Sequence, residues 1–128
     1  MRLFRLVIAF LLSVLLIMTE VARAAPGAFS FTGNLNRARY NHTGTLLNNG
    51  MVLIVGGFAG TSAELYNPTT GTFTATGNLN ATHSFHTATL LDNGMVLIAG
   101  GWDFATGNIA SAELYNPATG TFTPTGSM

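Results

Sequence analysis

The chain has 128 residues, with five Lys and Arg balanced by five Asp and Glu, 15 glycines and no cysteine. That length holds one small domain at most, because an independent core needs on the order of 100–150 residues. The balanced charge leaves no basic patch to hold phosphates, which argues against nucleic acid as a partner. Without cysteine no disulfide staples the chain, so stability has to come from sheet pairing and burial.

Residues 1–5 (MRLFR) carry two arginines, and residues 6–18 (LVIAFLLSVLLIM) are apolar except for Ser13. Ala22, Arg23 and Ala24 then supply the small residues of a cleavage site. This is the layout of a secretory signal peptide over 1–24, and it predicts a secreted or periplasmic mature chain with no membrane contact after cleavage. An uncleaved anchor is the competing reading. The apolar run falls short of the roughly 18 residues that a spanning helix needs, and Glu20 follows closely.

The remainder repeats itself. Residues 32–57 align with 76–101 at an offset of 44, with 18 of 26 positions identical. Residues 62–77 align with 111–126 at an offset of 49, with 14 of 16 identical, so the second copy has gained five residues after its Gly-Gly pair. A period of this length marks a repeat architecture.

Each copy parses into four short strands. Residues 42–47 and 51–55 flank Asn49-Gly50, and 86–91 and 95–99 flank Asn93-Gly94. Asn-Gly between two such runs is a strong hairpin signal, expected here as a tight turn with positive φ at both central residues. Residues 63–66 (AELY) follow, then a turn over 67–71 (NPTTG) in which Pro presets one φ and Gly accepts a left-handed one, then 72–76 (TFTAT). The run 51–55 (MVLIV) is apolar at every position, as in a strand covered on both faces. Four-stranded antiparallel sheets stacked face to face describe a β-propeller. An eight-stranded sandwich is the alternative, and it gives no reason for the near-identical period.

The pattern H-T-x-T-L-L, an apolar strand ending in Gly-Gly, then A-E-L-Y-N-P and T-G-T-F resembles the kelch repeat of β-propellers, including the galactose oxidase-like group. Kelch repeats usually carry Trp where this chain has Phe73 and Phe122, a change that keeps the packing role. The resemblance implies an all-β fold of two four-stranded antiparallel kelch-type blades, over 34–77 and 78–126, in an incomplete ring. Residues 27–33 echo 71–77 and 120–126, so 25–33 are expected to be a lone outer strand of an absent blade, and 127–128 the start of a further repeat. Propellers close with about four to eight blades. Truncation of a longer propeller is the simplest explanation; its rival is self-association of about three chains into one ring.

Positions shared by both copies are expected to pack the blades, and positions that differ to be open for binding. His42 and His86 share one slot, read as structural histidines bonding backbone. Glu64 and Glu113 share another, read as structural contacts. No G-x-S-x-G elbow, phosphate-cradling loop or metal-ligand cluster occurs, so no catalytic residue, metal or cofactor is expected. Arg37, Arg39 and Tyr40 stand against Ala81, His83 and Ser84, Asn41 stands against Phe85, and the longer loop 102–110 adds Trp102, Asp103 and Phe104. In an antiparallel blade the loop into strand one and the loop between strands two and three lie at the same end. Arg37, Arg39, Tyr40, His83, Phe85, Trp102, Asp103 and Phe104 are therefore the candidate ligand-binding residues, with Trp102 capping the blade edge as the alternative role. Aromatic rings beside a carboxylate suit stacking on a sugar or gripping a peptide.

The expected function is an exported binding module for carbohydrate or protein. One alternative is the non-catalytic N-terminal part of a galactose oxidase-like enzyme, and another is a structural module without activity of its own. The resemblance implies a copper centre with a Tyr–Cys crosslink in that enzyme group, and a chain without cysteine cannot form it within this segment.

Overall fold

A computed structural model describes residues 27–128, and within them Thr32–Met128 form a compact unit. The expected signal peptide over 1–24 lies outside the described residues. Blade 1 consists of β1 (Thr43–Leu46), β2 (Val52–Val55), β3 (Ala63–Asn67) and β4 (Thr72–Ala75), hydrogen-bonded in that order. Blade 2 consists of β5 (Thr87–Leu90), β6 (Val96–Ala99), β9 (Ala112–Asn116) and β10 (Thr121–Pro124). All pairings are antiparallel, and the registers correspond: Leu53 faces Leu65 as Leu97 faces Leu114. The connection lengthened by five residues in the second copy forms a small hairpin, β7 (Trp102–Asp103) with β8 (Gly107–Asn108), where only a loop was expected.

The Asn-Gly turns differ in detail from the expected form. Positive φ occurs at Gly50 and Gly94 alone, not at the preceding asparagines. Gly50 N donates to Leu47 O at 2.9 Å and Leu47 N to Met51 O at 2.8 Å, so three residues rather than two bridge the strands. This is a type I turn closed by a left-handed glycine, the usual three-residue hairpin. Asn49 Oδ1 accepts from Met51 N at 3.1 Å and holds the turn.

The core lies between the blades. Leu47, Leu53, Val55 and Ala63 of blade 1 pack with Val96, Ile98, Tyr115 and Phe122 of blade 2, with Leu79 of the connecting segment among them. Each aliphatic side chain wholly buried there contributes about 1.5–3 kcal/mol. Because strands alternate, blade 1 turns Leu53 and Val55 to this junction while blade 2 turns Val96 and Ile98, the residues of opposite parity. We call the face that blade 1 offers its trailing face and the face that blade 2 offers its leading face. Their repeat-equivalents, the leading face of blade 1 (Leu46, Val52, Ile54, Tyr66) and the trailing face of blade 2 (Leu91, Leu97, Ala99), are half-buried or exposed.

Segments between strands cover the sheets in the same way in each copy. Gly33 N donates to Gly71 O at 2.8 Å and Thr32 Oγ1 meets Tyr66 OH at 2.8 Å. In blade 2, Gly77 N donates to Gly120 O at 2.9 Å and Thr76 Oγ1 meets Tyr115 OH at 3.0 Å. Thr32 and Gly33 thus hold the place that the end of a preceding blade would hold, although residues 27–33 pair as no strand. Tyr66 packs on Phe73 and Tyr115 on Phe122, each with ring centroids 4.7 Å apart, so phenylalanine fills the packing role at both positions.

Candidate functional site

Two glycines shape the end of each blade where its copies diverge. A Cβ on Gly56 would collide with the carbonyl oxygen of His83 in blade 2, and one on Gly57 with that of Tyr40. Both residues have positive φ, 68° and 76°. With no side chains in the way, Phe58 N donates to Tyr40 O at 3.0 Å, and in blade 2 Trp102 N donates to Ser84 O at 2.8 Å. The loop entering the first strand and the loop leaving the second are thereby bound together at one end of each blade.

The rings on these loops form a strip that crosses from blade 1 to blade 2. Tyr40 stacks on Phe58 at 4.8 Å with 18° between planes. Phe58 meets Phe104 edge-on at 5.3 Å, and Phe104 meets Trp102 edge-on at 4.5 Å. Offset and edge-to-face contacts of this kind add about 0.5–1.5 kcal/mol each. Tyr40, Phe58 and Phe104 are all more than half exposed, so the strip is ordered without being covered. Phe85, 68% exposed, lines an open pocket of about 500 Å³ with Gly101, Trp102 and Asn108. Its φ of 56° lies in the left-handed region, which is costly for a bulky residue. Trp102 is half-buried and pairs with Ser84, so it supports the blade edge as well as the strip. Asp103 turns away from the rings into its own hairpin, accepting from Ala105 N at 2.7 Å and Thr106 N at 3.0 Å. Those backbone hydrogen bonds hold its carboxyl below the ordinary value.

Two candidates belong to the interior instead. The Arg39 side chain is wholly buried, with Nη2 2.7 Å from Glu64 Oε1 and Nη1 donating to Gly56 O and Ser62 O. Glu64 also accepts from Asn36 N, Asn36 Nδ2 and Arg37 N. Burial opposes ionisation of Glu64, but these hydrogen bonds together outweigh it and hold its carboxyl below the ordinary value. His83 takes the place of Arg39 in blade 2: it is fully buried, with Nδ1 2.8 Å from Gly100 O and Nε2 3.5 Å from Glu113 Oε1. Variation between the copies therefore marks two chemistries for one interior position, not a binding surface. Arg37 does lie on the surface, held through its backbone N–H on Glu64.

Glu64 and Glu113 are structural contacts, as expected, each gathering the segment that leads into its blade. His86 bonds a side chain of the neighbouring blade, Thr43 Oγ1, where a backbone partner was expected, and His42 is exposed. Phe58 was missed because its loop is short. The available signal was its alignment with Trp102: both copies place an aromatic residue directly after Gly-Gly. Among the described residues, no three His, Cys, Asp or Glu side chains come together as a metal site needs.

A family model for the kelch motif matches residues 85–128. No curated protein matches the chain. Among solved structures, the chain is similar to a novel fungal alcohol oxidase of the AA5 family, in complex with copper, at 15% identity with a TM-score of 0.58. The likeness covers 68% of this chain and 18% of that one, and it concerns the fold alone. The kelch motif thus falls on blade 2, the preceding copy builds the same four-stranded sheet, and the chain has the fold of two β-propeller blades.

Proposed function

We propose that the chain is an exported interaction module that takes a protein partner through the aromatic strip of Tyr40, Phe58, Phe104 and Trp102. The observation that carries this reading is the strip itself: a continuous run of large rings, three of them more than half exposed, at the end of the blades where the copies differ. Isolated apolar side chains on a surface need no explanation, whereas a contiguous patch of aromatic residues is characteristic of recognition surfaces. The rings already occupy part of one another's faces, which favours apolar side chains of a partner protein over flat stacking on a sugar. No charged side chain lies within the strip, so affinity would come from ring burial and depend little on salt.

The test is affinity capture from the secreted fraction of the source cells, compared with Phe104→Ala and Tyr40→Ala, alongside a glycan array. We expect a protein retained by the wild type and reduced roughly tenfold or more by either variant at an unchanged melting temperature. Glycan binding that both variants abolish would move the reading to carbohydrate. Capture that neither variant alters would remove the strip as the site.

A further inference from the structure

The two outer faces of the blade pair are complementary to each other. We propose that the trailing face of blade 2 and the leading face of blade 1 join copies of this chain head to tail, reproducing between molecules the junction that holds the two blades together within one. This surface is distinct from the aromatic strip and does not depend on its role.

The argument is one of repeat equivalence. Leu53, Val55 and Leu47 form the blade 1 side of the existing junction, and Leu97, Ala99 and Leu91 are the same positions on the trailing face of blade 2. Val96, Ile98 and Tyr115 form the other side, and Val52, Ile54 and Tyr66 are the same positions on the leading face of blade 1. Every member of the first set is fully buried and every member of the second only partly so. Leu46, on the leading face, is 64% exposed, whereas its equivalent Leu90 packs against the core. The sequence has already made one junction from these residues, and the same residue types stand ready for another.

The polar contacts repeat as well. Within the chain, Gly57 N donates to His83 O at 2.8 Å, Phe85 N to Asn41 O at 3.2 Å, and Thr43 Oγ1 meets His86 Nε2 at 2.8 Å. The equivalents between copies are Gly101 N to Arg39 O, Asn41 N to Phe85 O, and Thr87 Oγ1 to His42 Nε2. Among the described residues, none of these backbone groups has a backbone partner outside its strand, and Thr87 and His42 are exposed. Gly100 matches Gly56, whose lack of a side chain admits the carbonyl of the neighbouring blade. Of the atoms a Cβ on Gly100 would meet too closely, the nearest is the flexible end of Met128. Thr32 and Gly33 already cover blade 1 as Thr76 and Gly77 cover blade 2, so the receiving blade brings its own covering segment. Thr125 and Gly126 of the donor are then left outside the junction. A head-to-tail contact closes into a ring when its rotation permits, and four to eight blades correspond to two to four copies.

The experiment is sedimentation of the purified full chain over a range of concentrations, with His42→Glu to block the leading face and Thr87→Glu to block the trailing face. Both positions are exposed, and far-UV circular dichroism with a melting curve checks folding; Ile54→Lys and Leu97→Lys provide a second pair with the same logic. We expect the wild type to assemble, each variant alone to associate at least tenfold more weakly, and an equimolar mixture to form a 1:1 dimer that grows no further, since only one intact junction remains. A wild type that stays monomeric overturns the proposal. So does assembly that both variants retain, as association through residues 1–26 would give, or a mixture that remains monomeric.

Discussion

Thr43 Oγ1 of blade 1 lies 2.8 Å from Nε2 of His86 in blade 2, and this contact joins the blades at a buried imidazole. Burial, followed by the neighbouring His83, lowers the His86 pKa to about 4. A folded value below the unfolded one of about 6.5 means that the unfolded chain binds the proton more readily as pH falls. Stability from this group is complete above pH 6.5 and is lost progressively as pH falls from 6.5 to about 4, by up to roughly 3 kcal/mol at about 1.4 kcal/mol per unit. Urea titrations of the wild type and of His86→Gln across that window check it: the variant is expected to start less stable and to show the flatter pH dependence. Glu64 acts in the same direction at more acidic pH, because its lowered pKa favours the ionised form in the folded chain.

Gly56→Ala and Gly100→Ala make the same change in the same local sequence, and their costs are expected to differ. Both positions have positive φ, and Gly56, with φ 68° and ψ −143°, lies in a region that costs a residue with a side chain about 1–3 kcal/mol. At Gly56 the new methyl also meets the rigid carbonyl of His83, whereas at Gly100 it meets the end of Met128. Thermal melts are expected to show Gly56→Ala as the more damaging by about 2 kcal/mol or more, near the upper range for point substitutions. Equal costs would mean that blades 1 and 2 do not approach at Gly56.

Arg39→Ala leaves Glu64 buried and short of its cation. Removing one partner of a buried ion pair costs about 3–5 kcal/mol, far more than removing an exposed one. The expected outcome is a fall of that size in unfolding free energy. A change within about 0.5 kcal/mol would place Arg39 at the surface.

Phe85 and Asn41 occupy one slot of the repeat, both with φ of 56°. Asparagine tolerates the left-handed region and phenylalanine does so at a cost. Phe85→Asn is therefore expected to raise stability by about 0.5–1 kcal/mol, measured as a higher melting temperature. A loss of stability would show that the Phe85 ring is packed in solution.

Much of the architecture was legible because it rests on local chemistry repeated twice. Asn-Gly, Asn-Pro-Thr-Thr-Gly and the apolar runs between them locate the strands to within a residue or two, and the period groups them into two sheets. The site was legible in part. Tyr40, Phe85, Trp102 and Phe104 do meet at one end, since antiparallel topology places their loops there. Arg39 and His83 could not be told from surface residues, because their burial follows from a glutamate 25 to 30 positions away, a separation no local pattern reports.

The sequence by itself determined the blade: its strands, its turns, its glycines and the residues that alternate across its faces. Only the tertiary structure decided which face is interior. Tyr66 and Tyr115 stand in the same phrase, Ser-Ala-Glu-Leu-Tyr-Asn-Pro, yet Tyr115 is fully buried and Tyr66 only partly. Leu53 and Leu97 differ in the same way. The physical reason is that a strand determines which side chains share a face, while burial of that face depends on the sheet stacked against it. Within the described residues, one junction exists for two blades, so equivalent residues meet different surroundings.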